Sequence, residues 1–432
     1  MLAVVAAICC SIGLISCNKG KTGPDAELAD YTIIVYGHTG EAMDYTMEGV
    51  WEETKTKLPD KKVRILVLYK YGADSEKFSG KYGAPGEVVT FELDKDTDLG
   101  TIHAEGADGK DFKLYDPENI KSILNKAKEE LPAREYVLAL FGHGRGFDAK
   151  TDYPKEDIAT RGVLPDELLG HSAINMYELS AGIAQSAIPH LKAIMFHNCL
   201  MGGMESLVQV APYADYMFTT PFMLSSENNP LIPVLVDNMR TGAGFETLAR
   251  NTVKESEERL YDGYGKEETP YNGSMALVKS AELEGVCTAA KELATRLCAL
   301  YPEQKEAIDK ATCGVYQFFT QQRYYDLLDY ARILANETGD ESLTTIHTKM
   351  KEAFGRAILQ QVIIDLGVLP VLPSFSLSVV LVDQKSYLSS VNNEFTYQES
   401  YELTTFHKQT GWGKWLETNT CVPTGNPFGQ GE

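Results

Sequence analysis

The sequence has few basic residues and no arrangement of cysteines that is typical of a metal site. Its 432 residues include 40 Lys and Arg against 61 Asp and Glu, which gives a formal net charge of −21. Because an acidic chain binds the nucleic-acid backbone poorly, we exclude nucleic acid as a partner. The eight cysteines form no CxxC pair and no spacing typical of zinc ligands. Internal repeats are absent as well.

The N-terminal stretch is almost wholly apolar from Met1 to Ile15. It is too short to span a bilayer comfortably and fits the core of a signal peptide. Its end, Leu14-Ile15-Ser16-Cys17, resembles the bacterial lipobox, in which cleavage leaves a lipid-modified cysteine. No Lys or Arg precedes the run, and an ordinary signal peptide is the alternative. We predict a lipoprotein-type signal peptide at 1–16 and a flexible tether at 17–30.

Two apolar runs lead to a histidine and a cysteine. Residues 137–142 precede His143, and residues 193–196 lie shortly before Cys199. Apolar runs without polar alternation predict strands buried on both faces of a sheet. Sites in open α/β sheets form at the carboxyl ends of strands, so we expect both side chains across one crevice. A thiol within reach of an imidazole is the minimum for a cysteine nucleophile.

The rest of the first half predicts an α/β fold with a parallel sheet, since strands alternate with helices. Strands are predicted at 31–36, 63–69, 136–141, 193–198 and 216–220. Helices are predicted at 43–57 and after Pro117, Asn175 and Gly203. Asp116 before Pro117 is a typical helix start, and Asn175 with Glu178 fits a capping box. Residues 72–111 and 145–171 are predicted as loops and hairpins.

From about residue 241 helical patterns dominate. Helices are predicted at 244–260, 280–300, 302–320, 324–337 and 342–365, and strands at 274–278 and 375–382. We therefore divide the chain into a catalytic core at 31–240 and a mainly helical region with a few strands at 241–432. Four cysteines of this region are expected to be buried small apolar residues, with disulfides left open: Cys287, Cys298, Cys313 and Cys421.

The histidine and cysteine motifs resemble those of the clostripain family, in the caspase-like clan of cysteine peptidases. The resemblance lies in Tyr136–Phe147 with the Asp-Pro helix start before it, in Phe196–Glu205, and in Ala214–Phe218. It implies a caspase-like, mostly parallel sheet flanked by helices, and a hydrolase acting on peptide bonds of proteins or peptides. It also implies that His143 and Cys199 are the catalytic dyad. The backbone amides of Gly144 and Cys199 would then hold the oxyanion.

The sequence defines less clearly which substrate residue the enzyme accepts before the scissile bond. The family usually has an Asp two positions before the cysteine and favours Arg or Lys, but His197 stands there in this sequence. Glu227 and Asp148 are candidates to supply the missing charge, because both fall on loops expected near the site. We retain a slight expectation of cleavage after Arg or Lys.

Two further expectations come from the same resemblance, and a third comes from the lipobox-like end of the N-terminal apolar stretch. Some members are activated by cleavage between the two motifs, for which the 145–171 loop offers Lys150, Lys155 and Arg161. Some respond to calcium, although no calcium-binding loop is recognisable, and we expect no required cofactor. With Cys17 lipidated, the protein would be anchored to the membrane of a bacterial cell envelope; otherwise it would be secreted.

Two alternatives to a peptidase remain. One is a catalytically inactive envelope lipoprotein that keeps the fold as a binding module; the intact pair of His143 and Cys199 argues against it. The other is a transition-metal site made by His143, His197 and Cys199, which would require three side chains to converge by chance in a tetrahedral set.

Overall fold

The computed structural model describes residues 28–40, 44–72, 83–147, 162–170, 172–225, 231–266, 272–318, 323–368, 372, 375–390 and 396–423. The strands are β1 (Ala29–His38), β2 (Val63–Lys70), β3 (Glu87–Leu93), β4 (Ala107–Asp108), β5 (Ala133–Gly142), β6 (Val163–Asp166), β7 (Ser172–Ile174), β8 (Leu191–His197), β9 (Ala214–Thr219), β10 (Gly273–Lys279), β11 (Tyr324–Asp326), β12 (Ile358–Ile364) and β13 (Ser378–Val380). One large sheet has the order β12-β10-β9-β8-β5-β1-β2-β3-β4. Two small sheets pair β6 with β7 and β11 with β13.

The centre of the large sheet is parallel. β2, β1, β5, β8 and β9 run in the same direction, whereas β3, β4, β10 and β12 are each antiparallel to a neighbour. Residues 33–36, 137–140 and 194–196 of the central strands are at most 1% exposed. Their apolar side chains are therefore covered on both faces of the sheet, as the uninterrupted runs in the sequence predict. The predicted mostly parallel α/β fold is confirmed.

The helices occupy Asp44–Lys55, Leu99–Ala104, Pro117–Glu130, Met176–Ala184, Met204–Val210, Leu231–Met239, Phe245–Glu255, Glu257–Lys266, Leu283–Gly314, Leu327–Thr338, Glu341–Ala357, Gln384–Tyr387, Tyr397–Glu402, Thr405–Thr410 and Trp412–Thr418. Two predicted helix starts are confirmed. The Asp116 side chain accepts a hydrogen bond from the Glu118 amide, and Asn175 forms a reciprocal capping box with Glu178. These contacts satisfy amides that have no partner within the helix.

The order of the parallel strands changes direction between β1 and β5. The chain passes from β1 outward to β2, returns beyond β1 to β5, and continues to β8 and β9. Right-handed crossovers then put helix Asp44–Lys55 on one face and helices Pro117–Glu130 and Met176–Ala184 on the other. The last two helices pack against each other. Ligands of open α/β sheets bind at the carboxyl ends of strands beside such a reversal, which here is the edge where β1, β5 and β8 end.

Two predictions for the C-terminal region are wrong in their boundaries. The helices expected before and after Pro302 are a single helix, Leu283–Gly314, with a non-helical residue at Gln304 (φ −124°, ψ 32°). Residues 358–364, expected to end a helix, form β12 and pair with β10. Their apolar and β-branched side chains suit a strand once a partner strand lies beside them. Because β10 and β12 extend the large sheet, the regions before and after residue 240 share one sheet.

Three smaller expectations also need correction. Residues 163–166, expected in a loop, form the buried strand β6. Residues 324–326, expected to be helical, form β11, and the helix begins at Leu327. The four C-terminal cysteines are not all buried, since Cys287 is buried but the other three are partly exposed.

Candidate active site

His143 and Cys199 follow two neighbouring parallel strands. β5 and β8 are paired with Phe141 opposite His197. His143 comes directly after β5, and Cys199 is the second residue after the end of β8. His143 is partly exposed, whereas Cys199 is only 8% exposed. Both residues therefore lie at the carboxyl edge of the sheet, beside the reversal of strand order.

The glycines on either side of His143 allow the backbone to pack closely at this edge. Gly142 has a φ of 144°, and a Cβ on it would lie 1.9 Å from the His38 carbonyl oxygen. A Cβ on Gly144 would lie 2.4 Å from the carbonyl oxygen and 3.0 Å from the amide nitrogen of Cys199. Neither position has room for a side chain. The backbone that follows His143 is thus in direct contact with the backbone of Cys199.

Asn198 joins the ends of the two strands. Its side chain is buried, and Nδ2 donates hydrogen bonds to the carbonyl oxygens of Gly142 (2.7 Å) and His143 (3.2 Å). An amide held by two backbone acceptors fixes the position of one loop relative to the other. No role for Asn198 was predicted from the sequence. The only available signal was a polar residue between a buried strand and the candidate nucleophile.

Backbone strain is concentrated at the same edge. Leu164 (φ 55°) and Leu200 (φ 60°) are the two non-glycine residues with left-handed backbone in the part of the chain that the structure describes. The Leu164 amide donates to the His143 carbonyl (2.9 Å), and the Leu200 amide donates to the Phe222 carbonyl (2.8 Å). Such conformations cost about 1–3 kcal/mol each and cluster at functional sites. The strained residues are thus Leu200, directly after Cys199, and Leu164 of β6, which is hydrogen-bonded to His143.

The thiol of Cys199 lies against the backbone of Leu224. Its Sγ accepts a hydrogen bond from the Leu224 amide (3.2 Å) and donates to the Leu224 carbonyl (3.6 Å). An amide donor of this kind stabilises a thiolate. The next helix begins at Met204 with Gly203 as its N-cap, as predicted from the sequence. The Leu224 backbone, five residues beyond the end of β9, therefore provides the described contacts of the thiol.

A second histidine, His38, ends β1 beside Gly142. It is fully buried; its Nδ1 lies 2.8 Å from the Lys70 carbonyl oxygen and its Nε2 3.2 Å from Glu167 Oε2. Burial alone lowers the pKa of His38, but the hydrogen bond and charge of Glu167 and the charge of Asp166 outweigh it, so the pKa is raised. His38 thus ties β1 to the segment after β6. It lies two residues beyond the strand predicted at 31–36, and no role was predicted for it from the sequence.

A buried ion pair holds β6 to β2. Lys70 Nζ lies 2.7 Å from Asp166 Oδ2, and both side chains are fully buried. Lys70 also donates to the carbonyl oxygens of Lys110 and Phe112. Because removing one partner would leave a buried charge uncompensated, this pair fixes β6 in position. Since β6 contacts the His143 loop, the pair supports that loop from behind.

The expected pocket residues are only partly within the described chain. His197 is 5% exposed, and its ring stacks on Phe141 with centroids 4.2 Å apart. Its side chain is therefore covered by a neighbouring strand. The remaining expected pocket, processing and lipidation residues lie outside the described residues: Glu227, Asp148, Lys150, Lys155, Arg161 and Cys17.

Among the described residues, no three His, Cys, Asp or Glu side chains are arranged to hold a metal ion, so the alternative metal site of His143, His197 and Cys199 has no support there. No helix in that part of the chain is long and apolar enough to cross a membrane. A cavity of about 800 Å³ lies between the start of β9 and the end of β10, at the opposite edge of the sheet.

Comparison with known proteins adds independent evidence. The model of the clostripain family, peptidase family C11, matches residues 44–418. The structure is similar to a secreted C11 cysteine protease of Bacteroides thetaiotaomicron called iotapain, with a TM-score of 0.61 at 15% identity over 89% of this chain and 99% of that one. It is also similar to the structure of a secreted C11 cysteine protease from that organism in complex with an irreversible peptide inhibitor (TM-score 0.62, 16% identity, the same shares covered).

A third similar structure is an inactive zymogen C11 protease of Parabacteroides distasonis, with a TM-score of 0.56 at 16% identity over 89% of this chain and 99% of that one. Comparison with curated proteins gave no match. At these identities the structures establish the fold, and the family model establishes the relationship, because it covers most of the chain, including both strand ends. The chain therefore belongs to the clostripain family, and the protein is a hydrolase of the cysteine peptidase type.

Proposed function

We propose that the protein is an endopeptidase in which Cys199 is the nucleophile and His143 the general acid and base. The observation that carries the proposal is that both residues stand at adjoining strand ends in a member of a cysteine peptidase family. The contact between the Gly144 and Cys199 backbones adds support, since the proposed oxyanion donors belong to these two residues.

The proposed reaction has two stages. His143 takes the thiol proton, Sγ attacks the peptide carbonyl carbon, and the Gly144 and Cys199 amides stabilise the oxyanion. The imidazolium then gives its proton to the departing amine, which leaves an acyl-enzyme. In the second stage His143 removes a proton from water, the hydroxide attacks the thioester, and the thiol is regenerated with the carboxylate product.

We further propose a weak preference for Arg or Lys before the scissile bond. His197 is buried against Phe141 and has no negative charge to offer a basic side chain. Glu227 and Asp148 remain the candidates for that charge, and the chain's net charge of −21 favours basic substrates in general. Activation by a cut at Lys150, Lys155 or Arg161 belongs to the same proposal, as does a calcium response, although only the family resemblance supports calcium.

The location we propose is the bacterial cell envelope, with Cys17 lipidated after removal of residues 1–16. The apolar run and the lipobox-like end support it, and two similar structures are of proteases described as secreted. A Cys17→Ser variant should move from the membrane to the soluble fraction. A peptide intact from Met1 in the membrane fraction would contradict the proposed cleavage.

The test of the chemistry uses Cys199→Ala and His143→Ala. Each should retain the fold, seen as an unchanged circular dichroism spectrum, and lose nearly all cleavage of a peptide library monitored by mass spectrometry. Cys287→Ala, which alters a buried thiol far along the sequence in the helix Leu283–Gly314, serves as the matched control and should retain activity. Wild-type rates in Cys199→Ala would overturn the proposal. An envelope binding module without activity would instead show no cleavage in the native protein after any activating cut.

A further inference from the structure

Two of the C-terminal cysteines face each other. Cys313 lies at the end of the helix Leu283–Gly314, and Cys421 lies shortly after the helix Trp412–Thr418. Their Sγ atoms are 3.0 Å apart although the residues are 108 positions apart in the chain. A disulfide has a sulfur–sulfur distance of about 2.05 Å, so a shift of about 1 Å would join them. Both side chains are partly exposed, which leaves them open to an oxidant.

Hydrogen bonds other than the sulfur contact hold the Cys421 segment in place. The buried Asn419 donates from Nδ2 to the Val382 and Cys421 carbonyl oxygens, both at 3.0 Å. The Thr420 amide donates to the Tyr301 hydroxyl (3.0 Å). The approach of the two thiols is thus imposed by a polar network that would exist without them, and the geometry is prepared before any bond forms.

The two other cysteines of the same helix provide a contrast. Cys287 is 4% exposed, and burial, followed by the charges of Glu284 and Glu205, raises the pKa of its thiol to about 12. Cys298 is partly exposed, and its Sγ accepts a hydrogen bond from the Thr418 hydroxyl (3.7 Å). Neither has a cysteine neighbour among the described residues. The pairing therefore concerns Cys313 and Cys421 alone.

We propose that Cys313 and Cys421 form a disulfide that fastens the C-terminal segment to the helix Leu283–Gly314. The inference rests on the export that is part of the proposed function, because disulfides persist outside the reducing cytoplasm. The oxidant is another disulfide, carried by a small molecule or by an oxidoreductase. One cysteine thiolate attacks it and displaces a thiolate; the second cysteine then attacks the mixed disulfide and displaces the other. Two electrons pass to the oxidant, whose two thiols take up the two protons.

Strand β11 lies between the segment that carries Cys421 and the loop that follows His143. Tyr325 of β11 donates from its hydroxyl to the Pro423 carbonyl (3.3 Å), two residues beyond Cys421. Its neighbour Tyr324 points to the other face of β11 and donates to the carbonyl oxygens of Arg145 (2.9 Å) and Phe147 (3.3 Å), in the loop after His143. Fastening the C-terminal segment therefore steadies a strand that supports the histidine loop.

The test begins with peptide mapping. The full chain carrying Cys199→Ala, so that the nucleophile cannot compete, is held in oxidised and reduced glutathione, alkylated and digested with trypsin. We expect a linked pair of peptides containing Cys313 and Cys421, two hydrogens lighter than their sum, which disappears on reduction. Alkylation of both residues in the oxidised sample, or linkage of either to another cysteine, would overturn the proposal. Peptidase activity is not needed, so the outcome is independent of the proposed peptidase chemistry.

A second measurement tests the fastening role. Reduction should lower the Tm of the Cys199→Ala chain by about 5 °C, because a loop of this length gains most from cross-linking. The Cys313→Ser/Cys421→Ser double variant should show no redox-dependent shift, and Cys298→Ser should keep it. A linked peptide without any shift in Tm would show that the disulfide forms but does not stabilise the attachment of the C-terminal segment. For the exported protein, trapping thiols in whole cells should give the same linked pair.

Discussion

Asn198 donates a hydrogen bond from Nδ2 to the carbonyl oxygen of Gly142 at 2.7 Å, across the ends of two parallel strands. The same amide reaches the carbonyl of His143 at 3.2 Å. One side chain beside the candidate nucleophile thus holds the backbone of the candidate base. A displacement of either strand end would separate the two groups, and activity in such systems depends steeply on their relative position.

Asn198→Ala should lower kcat about 10- to 100-fold, since two carbonyl oxygens lose their donor and the His143 loop is no longer fixed to Cys199. The measurement is steady-state cleavage of a fluorogenic peptide together with the alkylation rate of the Cys199 thiol. Cys199 should remain reactive, because its own contacts with Leu224 persist.

The matched control is Asn238→Ala. Asn238 is buried like Asn198, and its Nδ2 donates to the Val234 carbonyl oxygen (3.1 Å) and to Glu255 (2.8 Å), within and beside the helix Leu231–Met239. Its loss should lower Tm and leave kcat unchanged. Equal effects of the two variants on kcat would contradict a positioning role for Asn198.

Gly142→Ala should prevent correct folding of the site. The new Cβ would lie 1.9 Å from the His38 carbonyl oxygen, in addition to the unfavourable φ of 144°. Gly170→Ala is the control, because its φ of 68° is also positive but, among the described residues other than its chain neighbours, no atom lies within 4 Å of a built Cβ. We expect the control to cost about 1 kcal/mol, whereas the Gly142 variant should be insoluble or lose several kcal/mol. Similar Tm values for both would show that the close approach is unimportant.

Glu205 should make the folded state less stable as the pH rises. Burial raises its pKa from 4.5 to about 6, although the Tyr401 hydroxyl (2.7 Å) and the Val380 amide (3.0 Å) both donate to Oε1 and lower it. The folded protein therefore holds the proton more tightly than the unfolded chain does. Stability is greatest below pH 4.5 and falls until the pH has passed about 6, by roughly 2 kcal/mol.

Glu205→Gln should remove this loss, because the amide keeps the Oε1 acceptor and has no charge to bury. The Tm of the variant minus the Tm of the native protein should be about 2 °C larger at pH 8 than at pH 4.5. Glu246→Gln is the control of opposite sign, since hydrogen bonding from Arg250 lowers the pKa of Glu246. A gain for Glu205→Gln that is the same at both pH values would exclude titration as its cause. Burial also raises the pKa of Asp326 to about 6, so part of the decrease in stability with rising pH should remain in this variant.

The sequence predicted best the features that depend on neighbouring residues. The apolar runs before His143 and Cys199 were sufficient to place β5 and β8, because a strand covered on both faces needs an uninterrupted apolar stretch. Asn175 and Glu178 were sufficient for a helix start, since both cap contacts are local. The histidine and the cysteine could therefore be assigned to adjoining strand ends before any coordinates.

Features made by distant pairing could not be found in this way. β12 follows the helix Glu341–Ala357 without a glycine or proline between them, and it is a strand because β10 lies beside it. His38 gave no signal of its role because its partner Glu167 lies 129 positions later. Cys313 and Cys421 gave no spacing signal, since their approach depends on how the last helix packs against a much earlier one.

The last prediction concerns the residue accepted before the scissile bond. The native protein should cleave after Arg and Lys about tenfold faster than after Ala, because one carboxylate that pairs with the basic side chain contributes about 1–1.5 kcal/mol of charge-assisted contact. Matched fluorogenic peptides ending in Arg, Lys, Gln, Ala and Asp provide the measurement. Glu227→Gln should abolish the difference, or Asp148→Asn if that residue supplies the charge. Glu352→Gln, which alters an exposed carboxylate on the helix Glu341–Ala357, should not change it.

The His197→Asp variant tests whether the preference for Arg or Lys depends on position 197 or on the carboxylates at 148 and 227. Because His197 is 5% exposed and stacked on Phe141, an aspartate there should be buried beside a ring, lower Tm and leave the Arg-to-Ala ratio unchanged. The opposite result is equally definite. If the native protein cleaved after Arg and Lys no faster than after Ala, and His197→Asp improved both sharply, then position 197 would determine specificity and the carboxylates at 148 and 227 would not.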